Sequence, residues 1–427
     1  MGKQTAIFRL GLKYLFRYKR RYYFLLAALI FGFTIITFIT STKDGMYDSV
    51  YYSAQSHYAG DIVAVAHDFF QGGFQHRMGQ EEINSILDAA NVSGIKIKNI
   101  VYRTFGINTP VIHHIGNSVN LRYLMGCDFE NEHQFNSDIE EDGIILSVPV
   151  AARLEANIGD RIILELDTRY GQKNTGAFIV KDIVQDTSIF GYYKAYISRI
   201  TLNRLLLYAD NDASQIGFFL ENTSKTEEQR INLHNALSLR TQTGAIVHNR
   251  DEMIREREKG WNGNVIFLYT MPVYLSEISD ILNAMNILTY LLFAMMLVII
   301  LVSAGVTYNL ILNERSKEMG VMRAIGFYGK DMHLVLWTEI ILVTFTAMVV
   351  GFIISCLLSF AVSFISFSWF PGFEIFLKKD KLIPMYLAST IFSNAFMLLI
   401  VIILLAFYHS NRITNKKLPA LLSGEPL

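Results

Sequence analysis

The side chains best placed to do chemistry lie in NERSKEMGVMRAIGF, residues 313–327. Glu314 and Glu318 stand about one helical turn apart, Arg315 and Arg323 flank them, and Met319, Met322 and Ile325 recur at helical spacing as an apolar face. A short helix with one apolar face and paired charges either docks into a groove on another protein or rests on lipid headgroups, and the pattern alone leaves both open. Either way the chemistry is binding rather than catalysis. The sequence has no G-x-x-x-x-G-K-[ST] phosphate loop, no G-x-S-x-G elbow and no H-E-x-x-H pair. His57, His67, His76, His113, His114 and His133 lack organised ligand spacing and read as surface or loop histidines, with no metal expected. Cys127 lies in a polar region and Cys356 in an apolar run, so neither a disulfide framework nor a thiolate metal site is indicated. Glu339, near the start of the third apolar run, is the one carboxylate within such a run. It reads either as an intramembrane functional group or as a side chain snorkelling to the membrane surface.

The elements that must position these residues follow from composition. Of 427 residues, 52% are hydrophobic and 18% charged, with zero formal net charge. That is too apolar for an ordinary soluble protein and too polar for spans alone, and it exerts no global pull toward nucleic acid. Four runs reach the roughly 20 apolar residues that a bilayer core requires: 22–42, 281–312, 334–364 and 382–408. The first has a basic flank but is longer than a signal-peptide core, so it is read as an uncleaved anchor. Lys3, Arg9, Lys13, Arg17, Lys19, Arg20 and Arg21 precede it with no acid among them. The positive-inside rule therefore puts 1–21 in the cytoplasm, as an amphipathic helix on the inner membrane surface. With four spans, the loop 313–333 and the tail 409–427 are cytoplasmic too, and both are basic. Residues 43–280 then form one large extracytoplasmic domain, and 365–381 a short external loop. Gly351, Ser355 and Ser359 make a stripe of small residues suited to close helix packing.

Within the external domain, strands are expected near 61–66, 95–104, 161–166, 178–184, 193–198 and 216–220. Helices are expected near 81–90, 148–155, 201–208 and 226–239. The fold class is thus a four-span α-helical membrane domain with a large α+β domain inserted between spans one and two. Residues 69–74 (FFQGGF) read as a turn flanked by core aromatics in preference to an exposed sticky loop. The charged run RDEMIREREK, 250–259, leads either continuously into span two as a helical stalk or to a break at Gly263 and Pro272.

NERSKEMGVMRAIGF closely resembles the E-R-x-x-E-[IM]-G-[IV]-x-[RK]-A-[LI]-G signature of FtsX-like and MacB/LolC/LolE-type ABC-transporter permeases. The matching positions are Glu314, Arg315, Glu318, Met319, Gly320, Val321, Arg323, Ala324, Ile325 and Gly326, with Met322 on the same segment. Residues 143–166 (GIILSVPVAARLEANIGDRIILEL) resemble the family's extracytoplasmic strand, small helix, Gly-Asp turn and strand. Residues 178–206, the basic N-terminus and the tail Leu418-Pro419-Ala420-Leu421-Leu422 fit as well. The resemblance implies that 313–327 is a coupling helix meeting an ABC ATPase. It further implies two ATPase subunits carrying ATP and Mg²⁺, a second permease copy (identical or related), and no cofactor on this chain. The size of the external domain resembles the MacB/Lol branch, which implies mechanotransmission to an external domain acting on lipoprotein cargo in the inner membrane. Tripartite efflux of drugs or peptides, and regulation of a cell-wall hydrolase or sensor kinase, are the competing readings.

Overall fold

The computed structural model describes residues 19–70, 73–132, 135, 139–184, 192–367, 373–378 and 381–415. The expected amphipathic N-terminus, most of the tail and His133 lie outside the described residues, as does the centre of 69–74. In chain order, α1 (Lys19–Tyr58) leads to β1 (Ile62–Phe70) and β2 (Gly73–Gln75). Then come α2 (Gln80–Ser93), β3 (Ile97–Phe105), β4 (Ile107–His114), β5 (Asn117–Asn120) and β6 (Tyr123–Cys127). These are followed by β7 (Gly143–Ser147), α3 (Val148–Leu154), β8 (Arg161–Asp167), β9 (Lys173–Val184), β10 (Lys194–Ser198) and α4 (Arg199–Leu206). Next are β11 (Gln215–Leu220), α5 (Thr226–Ser238), α6 (Arg250–Arg257), β12 (Gly263–Thr270) and α7 (Met271–Leu275). The chain ends its described course with α8 (Ser279–Glu314), α9 (Ser316–Ala324), α10 (Gly329–Val362) and α11 (Ala388–Thr414).

The chain forms two compact units. One contains the described residues up to Asp48, Leu282–Phe367 and those from Lys381 onward. It is built from α1, α8, α10 and α11, all long and apolar enough to cross a membrane. In α1, Leu25, Leu29, Phe33 and Ile36 recur every three or four residues, which puts them on one face. They join a core with Ile300, Ala304 and Tyr308 of α8, Leu336, Ile340, Val343 and Ala347 of α10, and Leu398 and Ile402 of α11. The helix α1 continues past Thr42, the end of its expected apolar run, as far as Tyr58.

The other unit, formed by Ser49–Ile281 with the described part of 368–380, is a sheet domain. Its strands are ordered β12-β1-β11-β3-β6-β10-β7-β9-β8-β4-β5, with β2 hairpinned onto β1. The pairs β6/β10 and β7/β9 are parallel and the other ladders antiparallel. Among the described residues, the two largest apolar cores on the sheet are separate. One, around Ile144, Leu146, Ile162, Leu164 and Val180, is packed by α3 and α4. The other, around Ile62, Ala64, Ile216 and Phe218, is packed by α2 and α5. The expected Gly-Asp turn is present. Gly159 has φ +97°, a conformation costly for any residue with a Cβ, and Asp160 accepts from the Asn157 N–H at 2.8 Å.

The sequence left the region after residue 250 open, and a continuous helical stalk is not what forms there. The charged helix α6 ends at Arg257, and GNVIFLYT becomes β12 along β1, with Val265 to Thr270 all buried. Pro272 then sits in the first turn of α7, where its missing N–H costs nothing.

Candidate functional site

Glu314 closes α8, and Arg315 takes φ −100° and ψ 3° between α8 and α9, which breaks the helix. At the other end Gly326 has φ +103°, a left-handed conformation suited to glycine, and α10 starts at Gly329. The signature is therefore a short helix delimited by two backbone irregularities, each at a signature residue.

The Arg315 side chain turns into the helical unit and is 1% exposed. Its Nη1 lies 2.5 Å from Glu339 Oε2 and its Nη2 3.2 Å from Glu339 Oε1. The Tyr22 hydroxyl donates to Glu339 Oε2 at 2.6 Å and accepts from Arg315 Nη1 at 3.1 Å. Glu339, on α10, is 0% exposed. Its snorkelling reading is thereby corrected, because a guanidinium presented from within the unit makes the interior position tenable. Arg315 Nε also lies 3.5 Å from Glu318, across one turn of α9.

Burial of Arg315 sets the rotation of α9. Met319 follows four residues on and is buried, Met322 is half-buried and Ile325 is exposed. The expected apolar face of Met319, Met322 and Ile325 is thus divided between inside and outside. The outward stripe is instead Val321, Ala324, Ile325 and Tyr328, with Lys317 at its start. Gly320 is buried beside Met319, and Arg323 donates to the Thr414 carbonyl at 3.2 Å, at the C-terminal end of α11. Cations are favoured at that end of a helix.

The small-residue stripe lies on two contacts. Thr34 of α1 donates to the Gly351 carbonyl at 3.1 Å, and a Cβ at Gly351 would sit 3.0 Å from the Ile30 carbonyl oxygen. Ser355 and Ser359 both meet the Tyr386 hydroxyl, at 3.0 and 2.6 Å.

The histidines are not confined to the surface or to loops as expected: His57, His67 and His114 are buried on a helix and two strands. His57 is buried edge-on to Tyr58 and Tyr123. His113 lies 3.5 Å from Glu165 and His114 3.6 Å from Asp160. His67 and His76 meet edge to face at 4.4 Å between ring centres. Among the described residues no cluster of His, Cys, Asp or Glu is arranged to hold a metal ion. Cys127 and Cys356 are both free thiols.

Comparison with known proteins adds the decisive observation: residues 290–418 match the family model of the FtsX-like permease C-terminal domain. This segment is similar to an FtsX-like permease C-terminal domain. It holds the whole 313–327 signature, Glu339 and α11, whereas Tyr22 lies outside it. No curated protein matches the chain. Among solved structures, the extracellular domain of the noncanonic ABC-type transporter YknZ from Gram-positive bacteria aligns at 11% identity with a TM-score of 0.28. The alignment covers 41% of this chain and 92% of that one.

Within this segment sequence reasoning missed one feature, the pairing of Arg315 with Glu339. Its signal was present, since a lone carboxylate in an apolar run calls for a cation. The candidate cation lay 24 residues away in a segment already assigned to a surface.

Proposed function

We propose that this chain is the permease subunit of an ABC transporter, with α9 as the contact for a separate ATPase. The observation that carries the reading is the similarity of 290–418 to an FtsX-like permease C-terminal domain, where Val321 and Ala324 of α9, with Ile325 and Tyr328 just beyond it, make an outward apolar stripe. A helix held rigidly on one side and apolar on the other suits a groove in a partner protein. The basic N-terminal flank supports a cytoplasmic α9 and an external sheet domain. Two permease copies would then work with two ATPases, which bind ATP and Mg²⁺. This chain would perform no hydrolysis and carry no cofactor. ATP-driven movement of α9 would reach the sheet domain and act on cargo already outside the membrane, a lipoprotein or other lipid-anchored protein being the favoured class. Efflux with an adaptor, or control of a hydrolase or kinase, are the alternatives.

The test is purification from native membranes in mild detergent, with mass spectrometry of retained proteins. An ATPase with lipoproteins supports the full reading. An ATPase with an adaptor, hydrolase or kinase keeps the permease assignment and changes the cargo. Absence of any ATPase after cross-linking overturns the assignment.

A further inference from the structure

Three side chains from three separate elements meet in the interior of the helical unit. Tyr22 comes from the start of α1, Arg315 from the junction between α8 and α9, and Glu339 from α10. Their relative exposures are 4%, 1% and 0%. All three are mutually hydrogen-bonded, at 2.5 to 3.2 Å. Ile311, Leu312, Met319, Leu336 and Ile340 are buried in the same core, together with Tyr308, and Glu318 reaches Arg315 Nε at 3.5 Å from its outer side.

Such a cluster is not accounted for by stability. Desolvating a carboxylate and a guanidinium is expensive, and well-packed apolar residues commonly serve as well or better. What a buried ion pair does supply is a fixed register, because a planar guanidinium facing a carboxylate bidentately admits few relative orientations. Apolar side chains tolerate sliding, whereas this arrangement does not.

The chain connections make that register matter. α9 is joined directly to α8 and, through Gly326, to α10, but it has no covalent link to α1. The Arg315 guanidinium bridges that gap, since it contacts the α1 phenol and the α10 carboxylate together. Arg315 also sits at the break that lets α9 adopt its own direction.

On the permease reading above, we infer that Tyr22, Arg315 and Glu339 are positioning residues that clamp α9 to α1 and α10. A force applied to the outward stripe of α9 therefore reaches α1 directly, and α1 is the helix that continues to Tyr58. None of the three touches the ATPase. They act by holding α9 in one orientation.

The experiment uses the full chain in detergent or nanodiscs, with nitroxides attached at Val321→Cys and Phe24→Cys, both exposed positions. Cys356 is replaced by Ser, and Cys127, 1% exposed, is left in place. Electron–electron distance measurements should give one narrow peak in the parent. Glu339→Gln should lose that single peak and give a shifted or split distribution, and Tyr22→Phe should broaden it while conserving the ring packing. Leu336→Ala, which removes core packing one turn from Glu339 and no charge, should lower thermal stability and keep the peak. An unchanged peak in whichever of Glu339→Gln and Tyr22→Phe folds overturns the clamp. So does equal broadening by Leu336→Ala, which would make the role generic packing. The labels report on this chain alone. A parent that retains no ATPase would sink the permease reading without touching the clamp, and an unaltered peak in a chain that does retain one would sink only the clamp.

Discussion

In the sheet domain, Arg103 of β3 forms a bidentate pair with Glu132, Nε to Oε1 at 2.6 Å and Nη2 to Oε2 at 2.8 Å. The same guanidinium donates to the carbonyls of His57 at 2.6 Å and Ser56 at 2.9 Å, in the last turn of α1. Helix ends leave carbonyls without intrahelical partners, and here a buried cation supplies them. With Arg103 1% exposed and Glu132 5%, removal of either partner strands a charge. Arg103→Ala and Glu132→Gln should each destabilise the domain by about 3–5 kcal/mol. Hydrogen exchange should show the loss first in the last turns of α1 and in β3. Protection unchanged in both segments would mean that α1 is anchored by other contacts.

The His67 and His76 rings give the sheet domain an acid sensitivity. Burial depresses both, His67 to about 2 with the neighbouring His76 and Arg257 adding to the effect, and His76 to about 4 with Arg257 adding. Above the ordinary histidine value of about 6.5 both forms of the chain are neutral here. Below it the unfolded chain takes up protons that the folded one refuses, so stability falls with pH from about 6.5 toward 4. Each ring should contribute on the order of 2 kcal/mol between pH 6.5 and 4.5. Thermal unfolding across that range should show the decline, and His67→Phe should make it shallower. A parent curve that is already flat would contradict the burial of these rings.

At Gly351, a side chain would press on the Ile30 carbonyl at 3.0 Å and the Phe33 ring at 3.3 Å. Gly351→Leu should cost about 1–3 kcal/mol by overpacking. Gly351→Ala needs only a few tenths of an ångström and should cost much less. Detergent unfolding of the two variants should separate them. Equal stability would mean that α1 and α10 are free to part at this point.

The outward stripe of α9 is the place to probe ATPase contact. Ile325 is 77% exposed, so Ile325→Asp should leave stability within about 0.5 kcal/mol while abolishing co-purification of the ATPase. Reversing Glu318 and Arg323 is a less clean probe. Arg323 holds the Thr414 carbonyl, and Glu318 lies beside Arg315. Retention of the ATPase by Ile325→Asp would place the contact elsewhere.

Much of this architecture is legible in the residues. Continuous apolar runs announce α1, α8, α10 and α11, because only helices of that length satisfy their backbone inside a bilayer. Alternating burial in β8, with Ile162, Leu164 and Leu166 inward, follows directly from the two-residue period of a strand. β12 was harder, since GNVIFLYT is apolar on both faces and adjoins a span, so its pattern does not separate strand from helix. The Arg315–Glu339 pair was hidden for a different reason. Which way a single charge points on a helix is decided by its partner, and partners remote in sequence leave no local mark. The same blindness misassigned the apolar face of α9, whose rotation depends on that pair.

The sheet order also bears on how the molecule comes into being. β1 (Ile62–Phe70) lies between β11 (Gln215–Leu220) and β12 (Gly263–Thr270), so the first strand made is flanked by the last two. Pairings this distant in sequence close slowly. Until Thr270 has been made, the edge of β1 that β12 will cover stays open, of the kind that invites wrong partners. Closure of the sheet thus waits for the last strand, and a chain halted before Gly263 would expose β1 to aggregation.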